Sequence, residues 1–175
     1  MSTVRERVDQ WKAEGRVEGQ SLSRSDGRAR VAVLKETYGE LLSDLVYRIE
    51  NAALFDSAAP LPRDFELLLM KWDDVEQKLS LDAAADLADE LDLTFETARK
   101  NAERLGLRHL PAEAQDDAAR AAKAARLATE ATVAGEKEAA MATVTRLLGS
   151  LALYCLPTPE EAPKMLSGEQ RSIEH

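Results

Sequence analysis

Apolar positions recur along this chain at steps of three and four, the spacing of amphipathic helices, and β-branched runs are absent. A short helix is predicted over Ser2–Glu14, where Val4, Val8 and Trp11 share a face. The longest run covers Arg30–Leu54. Val31, Leu34, Tyr38, Leu41, Leu42, Leu45, Val46, Ile49 and Ala53 form its stripe, and Glu36, Glu40, Asp44 and Glu50 face away. Gly39 inside that helix costs about 1 kcal/mol relative to alanine and suggests a close helix crossing. A third helix is predicted over Arg63–Leu79, with Phe65, Leu68, Leu69, Trp72, Val75 and Leu79 on one face and Trp72 as core anchor.

Ser80–Leu107 reads as two short helices joined by a tight turn. Leu81, Ala84, Leu87, Ala88 and Leu91 share one face, and Leu91-Asp92-Leu93 interrupts the rhythm. Thr94 offers an N-cap hydroxyl to the second helix, which closes at Gly106. Ala-rich Pro111–Ala134 and apolar-faced Glu136–Leu156, separated by Gly135, are predicted to form an αα-hairpin. The apolar surplus at Leu151, Leu153, Tyr154 and Leu156 suits either homodimerisation through that hairpin or closure of the core within one chain.

The expected fold is therefore all-α, a multi-helix bundle with a helix-turn-helix-like pair and a C-terminal αα-hairpin. The divisions are an N-terminal helix and flexible basic linker at 1–30, a helical domain at 31–110, the hairpin at 111–156 and a polar tail at 157–175. The linker segment Gly15–Arg30 carries Arg16, Arg24, Arg28 and Arg30, which suit either a solvated link or an arm on DNA backbone or minor groove.

With Leu87-Ala88-Asp89-Glu90-Leu91-Asp92-Leu93-Thr94 and Thr97-Ala98-Arg99-Lys100, the segment resembles the helix-turn-helix of bacterial transcription regulators. Ala88 stands where the two helices would cross, Asp92 at the turn, Leu93 as the plug after it and Ala98 as the buried position of the second helix. Asp92 departs from the usual turn glycine, and Ala98 from a larger aliphatic residue. The resemblance implies a DNA-binding transcriptional regulator whose second helix enters the major groove. Its outward positions would be Thr94, Phe95, Glu96, Arg99, Lys100 and Arg104. Arg99 would read guanine, Lys100 or Thr94 would hold phosphate, and Glu96 would accept from a cytosine amino group. An ordinary αα-hairpin with a solvated charged face fits the same residues.

Charge weighs on that choice. The net charge is −9, which opposes nonspecific binding to nucleic acid, where lysine and arginine supply most of the affinity. Thr94–Arg104 holds three bases and two acids, a weak local field that would need a dimer or the N-terminal arm to assist it. The alternative class is a non-enzymatic helical protein–protein interaction module, an adaptor or assembly factor whose acidic surface meets a basic partner.

Catalytic and cofactor signatures are missing. There is no Gly-rich phosphate loop, and two histidines, His109 and His175, build neither a triad nor a zinc site. His109 reads as structural or solvated. Asp73, Asp74 and Glu76 fit a solvated helix face better than a magnesium site. No cofactor and no enzymatic activity are expected. Cys155, the single cysteine, lies in an apolar run and reads as a buried, inert thiol. The charged N-terminus and the short apolar run Leu147–Leu156 predict a cytoplasmic protein with no membrane span.

Overall fold

A computed structural model describes residues 27–168. Among the described residues seven α-helices pack together and there is no strand. α1 spans residues 27–43, α2 Leu45–Glu50, α3 Pro60–Val75, α4 Leu81–Leu105, α5 Ala112–Glu130, α6 Ala134–Leu151 and α7 Glu161–Ser167. Short 3-10 turns at Ala52–Phe55, Glu76–Lys78 and Gly106–His109 join them. Among the described residues, no helix is long and apolar enough to cross a membrane.

Two apolar cores divide the elements. One is aromatic, with Phe65 and Trp72 of α3, Phe95 of α4, and Val31 and Leu34 of α1. The other is built on alanine. Ala118, Ala121, Ala122 and Ala125 of α5 let Leu45 and Ile49 of α2 and Val144, Leu147 and Leu148 of α6 approach closely. The Ala-rich helix lies inside the bundle, since α5 packs on both α2 and α6.

The switch between cores explains why the helix expected over Arg30–Leu54 is broken. Val31 and Leu34 belong to the aromatic core, whereas Leu45 and Ile49 belong to the alanine core. One straight helix does not serve both. The chain leaves helical geometry at Asp44 (φ −84°, ψ 105°), whose carboxylate accepts the Tyr47 N–H at 3.0 Å and caps α2. The turn Ala52–Phe55 then feeds both cores, Ala52 into one and Ala53, Leu54 and Phe55 into the other.

The largest departure from expectation is α4. Residues 81–105 form one continuous helix instead of two helices and a turn. Its buried stripe runs Ala84, Leu87, Ala88, Leu91, Phe95, Ala98 and Ala102, in steps of three and four, straight through the supposed turn. Asp92 keeps helical geometry and pairs with Arg30 at 3.3 Å. Leu93, expected as an interhelical plug, is 71% exposed. Thr94 does not cap a second helix; its hydroxyl donates to the Glu90 carbonyl (2.6 Å), as that of Thr97 does to the Leu93 carbonyl (2.7 Å), within the same helix.

Three smaller corrections follow from local chemistry. The described end of the supposed linker is helical, and its arginines clamp α1 in place. Arg28 donates to the carbonyls of Glu76 (2.6 Å) and Leu79 (3.0 Å), orphaned acceptors after α3. Arg30 pairs with Asp89 at 2.7 Å. Arg16, Arg24 and the Ser2–Glu14 helix lie outside the described residues. The polar tail contains α7, with Ala162 and Met165 buried in the alanine core. Thr158 and Glu161 cap it reciprocally, Thr158 N–H to the Glu161 carboxylate at 2.8 Å and Glu161 N–H to the Thr158 hydroxyl at 3.2 Å. The hairpin breaks before Val133, so Gly135 sits inside the first turn of α6.

Gly39 faces open space, so it marks no close crossing; Gly27 does. A Cβ on Gly27 would stand 3.0 Å from the Ala85 Cα and 3.1 Å from its nitrogen, backbone atoms of α4 with no freedom to yield. Gly27→Ala is therefore expected to lower stability by roughly 1–3 kcal/mol, whereas Gly39→Ala should raise it by roughly 0.5–1 kcal/mol. Urea unfolding of the two variants beside the parent checks both signs.

Candidate functional site

The predicted DNA-reading residues sit on the C-terminal half of α4, and the helix dictates where each points. Phe95 turns inward, 4% exposed, with its ring 5.1 Å from Phe65 and 6.1 Å from Tyr38. It is a core residue and not an outward contact. Thr94 is held by its back-bond to Glu90. The three bases are answered within the helix. Arg99 pairs with Glu103 at 3.0 Å and Glu96 at 3.8 Å, Lys100 with Glu96 at 3.8 Å, and Arg104 donates to the Asn101 side chain at 2.9 Å. The Glu103 hydrogen bond holds the Arg99 pKa above its ordinary value. Glu103 also accepts the Tyr47 hydroxyl at 2.9 Å.

The rest of α4 carries the opposite charge. Residues 81–98 contain Asp82, Asp86, Asp89, Glu90, Asp92 and Glu96 with no lysine or arginine among them. Asp82, Asp86, Asp89, Glu90 and Leu93 are exposed, and their spacing puts them along one side. Beside this acidic face, α1 and α4 enclose a shallow groove of ≈ 500 Å³, lined by Ala29, Arg30, Val33, Leu34 and Thr37 from α1 and by Asp92, Phe95, Glu96 and Arg99 from α4, with the Arg30 guanidinium held by Asp89 and Asp92. Val33 on its wall is 61% exposed. Three of the six predicted residues thus do share one surface, a groove with an apolar floor.

The chain matches no known protein family, no curated protein and no solved structure.

Among the described residues, a polar cluster forms around a buried carboxylate. Asp56, 6% exposed, accepts the Tyr154 hydroxyl at 2.7 Å, lies 2.7 Å from His109 Nε2 and accepts the Ala58 N–H at 3.0 Å. Burial pushes the Asp56 carboxyl up, but the bonds from Tyr154, His109 and Ala58 outweigh it and hold the pKa below the ordinary value. The same contact pushes the Tyr154 phenol up to about 12. His109 is therefore structural, as read from sequence, with a partner that spacing does not reveal, 53 positions away. The cluster ties the loop before α3, the turn after α4 and the segment after α6 together. Nearby, Cys155 is buried, and burial raises its pKa, which suits an inert thiol. Arg48 lies 5.2 Å over the Phe55 ring with its Nε buried and unbonded, and burial lowers its pKa.

Among the described residues, no group of three histidine, cysteine, aspartate or glutamate side chains is arranged to hold a metal ion. Asp73, considered for magnesium, is paired with Lys35.

Asp56 supplies stability that depends on pH. Its folded pKa is depressed, so its contribution is complete above the ordinary aspartate value of about 3.9 and is lost as pH falls through the folded value. Asp56→Asn is expected to cost roughly 1–3 kcal/mol at neutral pH. Urea unfolding of both chains across acidic pH should show the difference shrinking below about pH 4; a constant difference would mean that the carboxylate charge is irrelevant.

Proposed function

We propose that this chain is a non-enzymatic helical interaction module, an adaptor or assembly factor, that receives a basic amphipathic helix along α4 and the α1–α4 groove. The observation that carries this reading is the exposed acidic side of one continuous helix, with Asp86, Asp89 and Glu90 around exposed Leu93 and, among the described residues, only Asp89 of these three in an ion pair, to Arg30, beside exposed Val33 of α1. Apolar anchors of a partner at i, i+3/i+4 and i+7 suit the groove, and its lysines or arginines suit the flanking acids.

Duplex DNA is the competing partner. That reading rests on Arg99, Lys100 and Arg104, which stand at the C-terminal end of α4 and are already engaged by neighbours. A phosphate backbone laid along α4 would meet the acidic stretch, where electrostatics is repulsive. The module is further proposed to work as a homodimer through α5 and α6, because the surface of that hairpin carries exposed Leu127 and Val133.

The deciding experiment pans the full chain against a displayed library of helical peptides and, in parallel, against random duplex DNA. The expected result is enrichment of peptides with a basic face and apolar residues at helical spacing, lost when Val33→Asp and Leu93→Asp are combined. Enrichment of a DNA motif that Arg99→Ala/Lys100→Ala abolishes would overturn this reading in favour of the regulator. Enrichment of peptides indifferent to Val33 and Leu93 would overturn the groove as the docking surface.

A further inference from the structure

The outer side of the α5–α6 hairpin is a second groove, of ≈ 750 Å³, and its charges are polarised along its length. Arg120 and Lys123 line one end, Glu130 and Glu136 the other. Between them the lining is apolar and small, with Ala124 and Ala140 beside Leu127, which is 54% exposed. Arg120 already bonds Asp117 at 3.0 Å. Lys123, Glu130 and Glu136 are in no ion pair among the described residues.

We infer that this groove receives the same groove of a second copy, antiparallel, with the twofold axis passing close to Leu127. This rests on the proposed self-association and adds its register. Lys123 precedes Leu127 by four residues and Glu130 follows it by three, which at 1.5 Å per residue is about 6 Å and about 4.5 Å along the helix. A twofold at Leu127 therefore sets Lys123 of each copy opposite Glu130 of the other, and the symmetry makes the contact twice. Leu127 meets its own counterpart, and the flanking alanines let the helices approach. Arg120 faces the acidic end where the other copy's α6 begins. A parallel arrangement would set Lys123 against Lys123 and Glu130 against Glu130, a repulsion that rejects it.

The facing hairpins measure about 28 Å by 20 Å, from helix length and diameter. The buried total is then on the order of 1,000 Å², the lower end for specific interfaces, and suits a dimer of micromolar strength.

Sedimentation equilibrium of the full chain tests this with a charge exchange at exposed positions. The parent should dimerise, and more weakly as salt rises. Lys123→Glu and Glu130→Lys, each alone, set like charges against each other at both symmetry-related contacts and should weaken the dimer at least about tenfold. Mixing the two variants restores opposite charges at both contacts and should return a heterodimer of parental strength. Leu127→Asp should give monomer, with circular dichroism confirming that it folds. A parent chain that stays monomeric at low salt would overturn the self-association and the register together. A dimer that ignores both reversals, or one that mixing does not restore, would overturn the register and leave self-association standing.

Discussion

The buried stripe of α4 packs against Phe65 and Trp72 of α3 and against Val31 and Leu34 of α1, and the aromatic core depends on that helix staying unbroken. Seven buried positions along residues 81–105 keep one face in register over its whole length. Phe95 sits near its middle, in contact with Phe65 and Tyr38. Burying such a ring stabilises by roughly 1.5–3 kcal/mol, more than any propensity difference at Asp92. Turning the chain at Asp92 would release Phe95, Ala98 and Ala102 from this core. The helix continues because tertiary burial outweighs the local signal for a turn.

The same continuity decides what α4 presents outside. A helix buried along one stripe shows its other residues in a fixed order, here carboxylates first and arginine and lysine last. Arg99 and Lys100 lie one turn from glutamates and are neutralised locally, which costs little to form and is worth little to stability. Under the proposed function, this acidic side of α4, with exposed Leu93 within it and Val33 beside it, is the surface that a basic partner would meet.

Much of the fold was legible in the chain. The stripes of α3, α5 and α6 appear at helical spacing, and the Ala-rich segment is the inner helix that its small side chains imply. The Thr158–Glu161 capping pair was also present as a sequence signal, hidden inside a segment that prolines and charges made look featureless. Other features had no local signature. The break at Asp44 follows from which core each apolar residue joins, and apolar periodicity is blind to that choice. Asp56 meets Tyr154 across 98 positions, so no spacing could reveal the pair. The turn expected within Ser80–Leu107 rested on one residue, and the helix runs through it. Asp92 is an acceptable turn former, but it is also a good partner for Arg30 on a helix surface.

The continuity of α4 is tested most directly by a distance between spin labels placed at Asp86→Cys and Arg104→Cys in a Cys155→Ser background. The two positions are eighteen residues apart and face the same way on one helix. An unbroken helix predicts a narrow distribution near 27 Å, at about 1.5 Å per residue. A distribution centred below about 20 Å, the value for two helices bent at a turn near Asp92, would contradict the account and restore the helix-turn-helix.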